Sequence, residues 1–211
     1  MTRALLLLPL AAVAVAGCSV GDDGPQTSQA RDVAAFTRIE NRDSVDVRLR
    51  AGERLRLRVV AGEKVIDDVR TEVHDGTLEI SFDHDGFGGD DVEVDVAVPE
   101  LTAIEASGSG DIEASGIRAD AFEISSDGSA DIDVAGTAAQ LVVGLDGSGD
   151  ADLTDLAAAE ARVTVDGSGD LDVRANDRLE VEVDGSGDVT YHGDPAVTQR
   201  VDGSGDLSRA G

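Results

Sequence analysis

The segment Asp166-Gly-Ser-Gly-Asp-Leu171 returns as Asp184-Gly-Ser-Gly-Asp-Val189 and Asp202-Gly-Ser-Gly-Asp-Leu207. Earlier variants are Ser107-Gly-Ser-Gly-Asp-Ile112, Asp127-Gly-Ser-Ala-Asp-Ile132 and Asp146-Gly-Ser-Gly-Asp-Ala151. The closing Asp falls at 111, 131, 150, 170, 188 and 206, so the step is 18 to 20 residues. An interval this even implies one structural unit per repeat. The flanks repeat as well. Three residues before the motif stand Ile104, Ile124, Val143, Val163, Val181 and Gln199, and immediately after it Ile112, Ile132, Ala151, Leu171, Val189 and Leu207. The positions between such apolar columns are mostly polar, for example Glu105, Glu123, Arg162 and Glu182 on one side and Glu113, Asp133, Asp152 and Asp172 on the other. Alternation with period two means strands with one buried face.

Each unit therefore reads as a strand, a tight Gly-Ser-Gly turn, a second strand and a variable return. Such units build either a meander of hairpins or the rungs of a β-solenoid. The solenoid is favoured, because like residues at a fixed step stack into ladders and each rung buries its apolar face against its neighbours. Glycine is expected at the corners for φ values that are costly to other residues.

The N-terminal half alternates less regularly. Val45–Leu49, Leu55–Val59, Thr77–Ser81 and Val92–Val98 read as strands, with turn signals at Ala51-Gly52, Ala61-Gly62 and Asp75-Gly76. These strands form the opening coils or a cap of one all-β domain over residues 32–211, with regular repeats from about residue 100. A boundary near Pro99 is the alternative. The last rung, ending Leu207-Ser-Arg-Ala-Gly211, has no evident cap, so self-association through that edge is expected.

A strand ending in Pro99, then Leu101-Thr-Ala-Ile104, then the Ser-Gly-Ser-Gly turn and its successors resembles the bacterial family called putative auto-transporter adhesin, head GIN domain. The resemblance implies a right-handed parallel β-helix with GSG at the tight turns, shaped like pectin lyases but without their catalytic residues, and a role in cell adhesion. A shared fold does not fix a function, which has to be argued from a site.

Residues 1–17 have Arg3, an apolar run from Ala4 to Ala16 and a small residue at the end. The run is short of the roughly 20 residues that cross a bilayer, and the pattern is that of a secretory signal peptide. Val15-Ala16-Gly17-Cys18 resembles a bacterial lipobox, which implies lipidation of Cys18, the chain's only cysteine, and attachment to the membrane through that lipid. Residues 18–31 have no apolar period and read as a flexible tether. The expected location is the bacterial cell envelope, at the outer membrane or cell surface, with the lipid in place of an auto-transporter's barrel.

The chain has 211 residues, 44 acidic against 17 basic, and a net charge of -27, which repels nucleic acid. Aromatics are only 2% of residues, so stacking platforms for bases or sugars are scarce. The strongest ion candidates are the acids of the turns, Asp166, Asp170, Asp184, Asp188, Asp202 and Asp206. Stacked about 4.8 Å apart, such charges repel by roughly 1 kcal/mol per pair even in water, so something must offset them. D-x-S-x-D echoes the first half of a calcium loop, yet that loop's Gly and distal Glu are missing. The favoured reading is that each Asp accepts hydrogen bonds from the N–H groups of its own turn, and no cofactor is expected.

The segment from Asp83-His84-Asp85 to Gly89-Asp90-Asp91 is either a metal loop or an exposed acidic hairpin, and the hairpin is favoured. His74, His84 and His192 form no HxxxH or HExxH pair, and no nucleophile elbow or phosphate loop is present, so the chain does not read as an enzyme. Charge is asymmetric. Residues 31–70 carry nine Arg and one Lys against eight acids, whereas 71–211 carry six Arg against 34 acids. Arg48, Arg50, Arg54, Arg56 and Arg58 alternate with aliphatic residues, as on one strand face, and are either a solvated face balancing nearby acids or a contact for an anionic partner. Three function classes follow: adhesion or binding at the envelope surface, a periplasmic structural or envelope-stress role, and a weak calcium-binding module.

Overall fold

The computed structural model describes residues 23–83 and 92–211. Cys18, the signal segment, and His84, Asp85, Gly89, Asp90 and Asp91 lie outside the described residues. Every regular element among the described residues is a strand, and the strands form one solenoidal sheet.

The repeat half is built from long bent strands. These are β9 (Ile112–Ser126), β10 (Ile132–Leu145), β11 (Ala151–Val165) and β12 (Leu171–Val183), each running from one GSG turn to the next. The return is thus part of a continuous strand, not a loop between two short ones. It bends where Gly116 (φ 76°) and Gly136 (φ 150°) sit, and register shifts absorb the change of step between coils. Neighbouring coils pair in parallel and in register: Ile124 lies beside Val143, Val143 beside Val163, and Val163 beside Val181. The column after the turn runs Ile112, Ile132, Ala151, Leu171, Val189, Leu207. All of these except Leu207 are buried, so the aliphatic columns are the core. The last coil is β13 (Val189–His192), β14 (Ala196–Val201) and β15 (Leu207–Arg209). Among the described residues no strand pairs with its outer edge, and Gln199 and Arg209 replace aliphatics in the inward columns.

The first half contributes two coils and a cap. One coil is β2 (Arg38–Asn41) with β3 (Asp46–Ala51), and the other is β6 (Thr77–Phe82) with β7 (Glu93–Val98). Spatial order departs from chain order, because the earlier coil lies between the later one and β8 (Ala103–Ala106) with β9. Three antiparallel strands close this end: β4 (Arg56–Gly62) on β7, β1 (Gln26–Arg31) on β4, and β5 (Val69–His74) on β6. Residues 26–31, expected in the tether, therefore belong to the folded domain. Their sequence QTSQAR does not alternate, and five of the six are exposed. Backbone pairing to the edge of β4 orders them, and no side-chain pattern reports that.

The turn glycines need a different explanation from the one expected. None has positive φ; among the described residues that conformation belongs to Asp75 and to Gly24, Gly52, Gly76, Gly116, Gly136 and Gly193. In the turns, Ser148 N–H donates to Gly128 O and Ser168 N–H to Gly147 O, each at 3.0 Å. A Cβ on Gly167 would point along the stack into Gly147 O, and one on Gly169 into Gly149 O. Close approach of stacked backbones, not turn conformation, favours glycine, most strictly at the first turn position, since Ala130 fills the second in its turn.

Candidate functional site

Two aspartate ladders flank the stacked turns, and they differ in how their charge is met. In the closing ladder, Asp131 N–H donates to Asp111 Oδ1 (3.2 Å), Asp150 N–H to Asp131 Oδ1 (2.9 Å), Asp170 N–H to Asp150 Oδ1 (2.8 Å), Asp188 N–H to Asp170 Oδ1 (2.8 Å) and Asp206 N–H to Asp188 Oδ1 (2.8 Å). The donor belongs to the next coil, not to the acid's own turn as the sequence suggested. The cause is a change of ladder polarity at the corner. Before it, Asp146 N–H and Ser148 N–H donate back to Ser126 O and Gly128 O. Beyond it, Ile112 N–H takes Asp131 O, so that carbonyl points away from Asp150. Asp150 N–H would be orphaned, and the Asp131 side chain supplies the missing acceptor.

The ladder also reaches one coil into the irregular half, where Asp111 N–H donates to Asp46 Oδ1 (3.1 Å). Asp43-Ser44-Val45-Asp46 is thus a turn of the stack without glycines. The signal was present in the sequence, as a Ser two places before a closing Asp. Buried Asn41 ties this turn to the next through Nδ2, which donates to Val45 O (2.7 Å) and Gly110 O (3.4 Å).

The opening ladder lacks such compensation. Asp146 stands between Asp127 and Asp166, and its carboxyl is pushed above the ordinary range by desolvation and by those two neighbours. At the last coil Arg200 pairs with both Asp202 and Glu182. A third acidic row follows the turns, with Glu113 beside Asp133, Asp133 beside Asp152 and Asp152 beside Asp172. Desolvation and then Asp152 and Glu113 raise Asp133, while Thr154 lowers Asp152 by donating both its Oγ1–H (2.6 Å) and its N–H (2.9 Å). Among the described residues no three His, Cys, Asp or Glu are grouped to hold a metal ion. Asp166, Asp184 and Asp202 fall in the opening ladder, and Asp170, Asp188 and Asp206 in the closing one. His74 faces Glu72 (3.1 Å) and His192 faces Asp172 (3.6 Å), on separate strands.

The arginines do not share one strand. Arg48 and Arg50 lie on β3 and Arg56 and Arg58 on β4, with β7 between, while Arg54 sits in the connection before β4. Across the sheet, Arg58 is opposite Asp95 and Asp95 opposite Arg48; in the next row, Arg56 is opposite Ala97 and Ala97 opposite Arg50. Arg48 is balanced by Glu93 (2.6 Å) and Glu113 (3.7 Å), Arg56 by Glu53 (2.6 Å), and Arg50 only loosely by Asp95 (3.9 Å). A hollow of about 430 Å³ opens here, with Arg31, Arg50, Arg56 and Arg58 among its walls. The role of Arg31, Asp95 and Ala97 in it was not legible in the sequence, since only the strand order β1-β4-β7-β3 brings them together.

A parallel β-solenoid whose outer faces carry charged rows and whose interior is aliphatic defines the class. The model of the putative auto-transporter adhesin, head GIN domain family matches residues 35–195, and the chain belongs to that family. The family description points to the cell surface or envelope. A putative adhesin from Bacteroides fragilis is similar over 88% of this chain and 97% of its own, at 18% identity and a TM-score of 0.71. A putative lipid binding protein from Parabacteroides distasonis is similar over 90% and 98%, at 22% identity and a TM-score of 0.58. These likenesses show the fold alone. No curated protein matches the sequence.

Proposed function

We propose that this protein is a non-enzymatic envelope lipoprotein, held by a lipid on Cys18, that presents its solenoid surface for adhesion or binding. The observation that supports this reading most is the outward grid of the repeats, where side chains recur about every 4.8 Å along the stack. Arg38–Glu123 (3.4 Å), Arg162–Glu180 (2.7 Å) and Arg200–Glu182 (2.6 Å) mark one such face. In-register hydrogen bonds between turns hold it rigid, and a preordered surface loses little entropy when a partner docks. Membership of a family described as adhesin heads agrees with display outside the cell.

Protease added to intact cells tests the reading. Wild-type protein should fractionate with membranes and be degraded from outside, and Cys18→Ala should release it. Protection until the outer membrane is opened would replace surface display by a periplasmic structural role.

A further inference from the structure

Along the outer edge of β14, where no strand pairs among the described residues, the surface differs from the rest of the stack. Val197 and Val201 continue the buried columns of Leu179 and Val183, yet they are 37% and 36% exposed. The acidic excess falls off at the same place. Residues 189–211 carry three Asp against two Arg, whereas residues 171–188 carry six acids against two Arg. β14 itself holds one charged residue, Arg200, whose charge is met by Asp202 and Glu182. The direction of its backbone groups is set by the ladder below. Asp202 N–H donates back to Val183 O (2.8 Å), and alternate residues of a strand face alternate edges, so the N–H and C=O groups of Val197, Gln199 and Val201 point away from β12. An edge of this kind, apolar on its inner side and nearly neutral, is a template for another strand.

We propose that a second copy of this chain docks on this edge, β14 against β14, antiparallel about a two-fold axis at Gln199. The strand is self-complementary in that register. Val197 lies opposite the partner's Val201, Gln199 opposite its own mate, and Arg200 opposite the partner's Thr198, so the exposed valines cover each other and no two like charges face. The outward N–H and C=O groups fall on directly opposed residues, which is where antiparallel strands exchange their hydrogen bonds. A contact of this symmetry closes at two copies, whereas a head-to-tail contact would run on as a filament. It is small, of the weak class that buries less than about 1,200 Å². At the other end of the stack lies β1, which begins eight residues after Cys18. Copies held by lipid at Cys18 therefore carry their anchors at the two far ends of the pair, which suits contact between opposing surfaces and makes a second copy the partner in adhesion. That last step rests on the lipid-anchored reading, and the pairing itself does not.

Sedimentation equilibrium of the Cys18→Ala protein, which carries no lipid, tests the pairing alone. A monomer–dimer equilibrium is expected, and it should tighten as salt screens the acidic rods. Gln199→Pro removes the N–H at the axis while an edge strand tolerates the ring, so it should weaken the dimer by about tenfold or more. Val142→Asp, at a valine 46% exposed in the middle of the stack, should leave it unchanged. Unchanged melting of each variant shows that folding is intact. In the same Cys18→Ala background, Gln199→Cys should give a disulfide-linked dimer with diamide and Thr198→Cys should not, because the axis brings only position 199 to its own copy. A monomer at millimolar concentration, an equilibrium that Gln199→Pro leaves as it was, an open-ended series of polymers, or equal cross-linking at the two positions overturns the proposal. Failure of Cys18→Ala to release the protein from membranes would remove the anchor, and with it the contact between surfaces, while the pairing stands.

Discussion

Gly167 and Gly144 are both repeat-half glycines, yet the fold asks different things of them. A Cβ at 167 meets the carbonyl of Gly147 in the coil below, whereas one at 144 meets nothing within 4 Å. Overpacking against backbone has no cheap relaxation, so Gly167→Ala is expected to cost about 1–3 kcal/mol or more. Gly144→Thr, between Ser125 and Thr164 in its row, is expected to gain about 0.5–1 kcal/mol through strand propensity and reduced chain entropy. Urea titrations of the two variants check the sign of each. Asn41 and Ser126 are the buried polar side chains among the described residues. Asn41→Ala would strip Val45 O of its donor and cost about 1–3 kcal/mol, whereas the Ser126 hydroxyl has no partner to lose.

At the scale of the ladder, the closing aspartates act as acceptors first and as charges second. Asp150→Ala leaves Asp170 N–H without its bond and should destabilise by about 1–3 kcal/mol. Asp150→Asn keeps an Oδ1 in place and removes a stacked charge, so it should be neutral or stabilising; equal losses in both variants would show that charge is what matters. Asp146 of the opening ladder behaves in the opposite sense. Because the folded-state pKa of Asp146 is raised, the ionised group opposes folding above that pKa, and the penalty disappears as pH falls below the ordinary value of 3.8. Asp146→Asn should therefore raise the melting temperature at pH 7, with the difference closing near pH 3. Asp152 runs the other way, since its lowered pKa gives stability that is present above the ordinary value and lost in stronger acid.

For the whole molecule, the acidic excess lies along the repeats and the arginines at the capped end. A net charge of -27 on one rod repels itself, and the repulsion is screened as the Debye length falls from about 30 Å at 0.01 M salt to about 10 Å at 0.1 M. The melting temperature should rise over that range, measured in a salt of weakly binding ions. A flat or falling curve would show that the surface ion pairs outweigh the ladders.

The repeat half was readable because a solenoid writes its contacts into the sequence as a period. Residues one step apart are residues in contact, so the columns through Val163 and Val181 name their own neighbours. The order of the first coils, with β3 lying between β7 and β9, was not readable, since alternation identifies a buried face but not the strand beside it. The pairing of β1 was hidden for the same reason, its hydrogen bonds being backbone to backbone. Sequence alone thus determined the stack, its aliphatic interior and its acidic turns. Tertiary structure decided which coil supplies the N–H that each closing aspartate accepts and that β7 parts the arginines around Ala97, because both depend on which backbone edges meet.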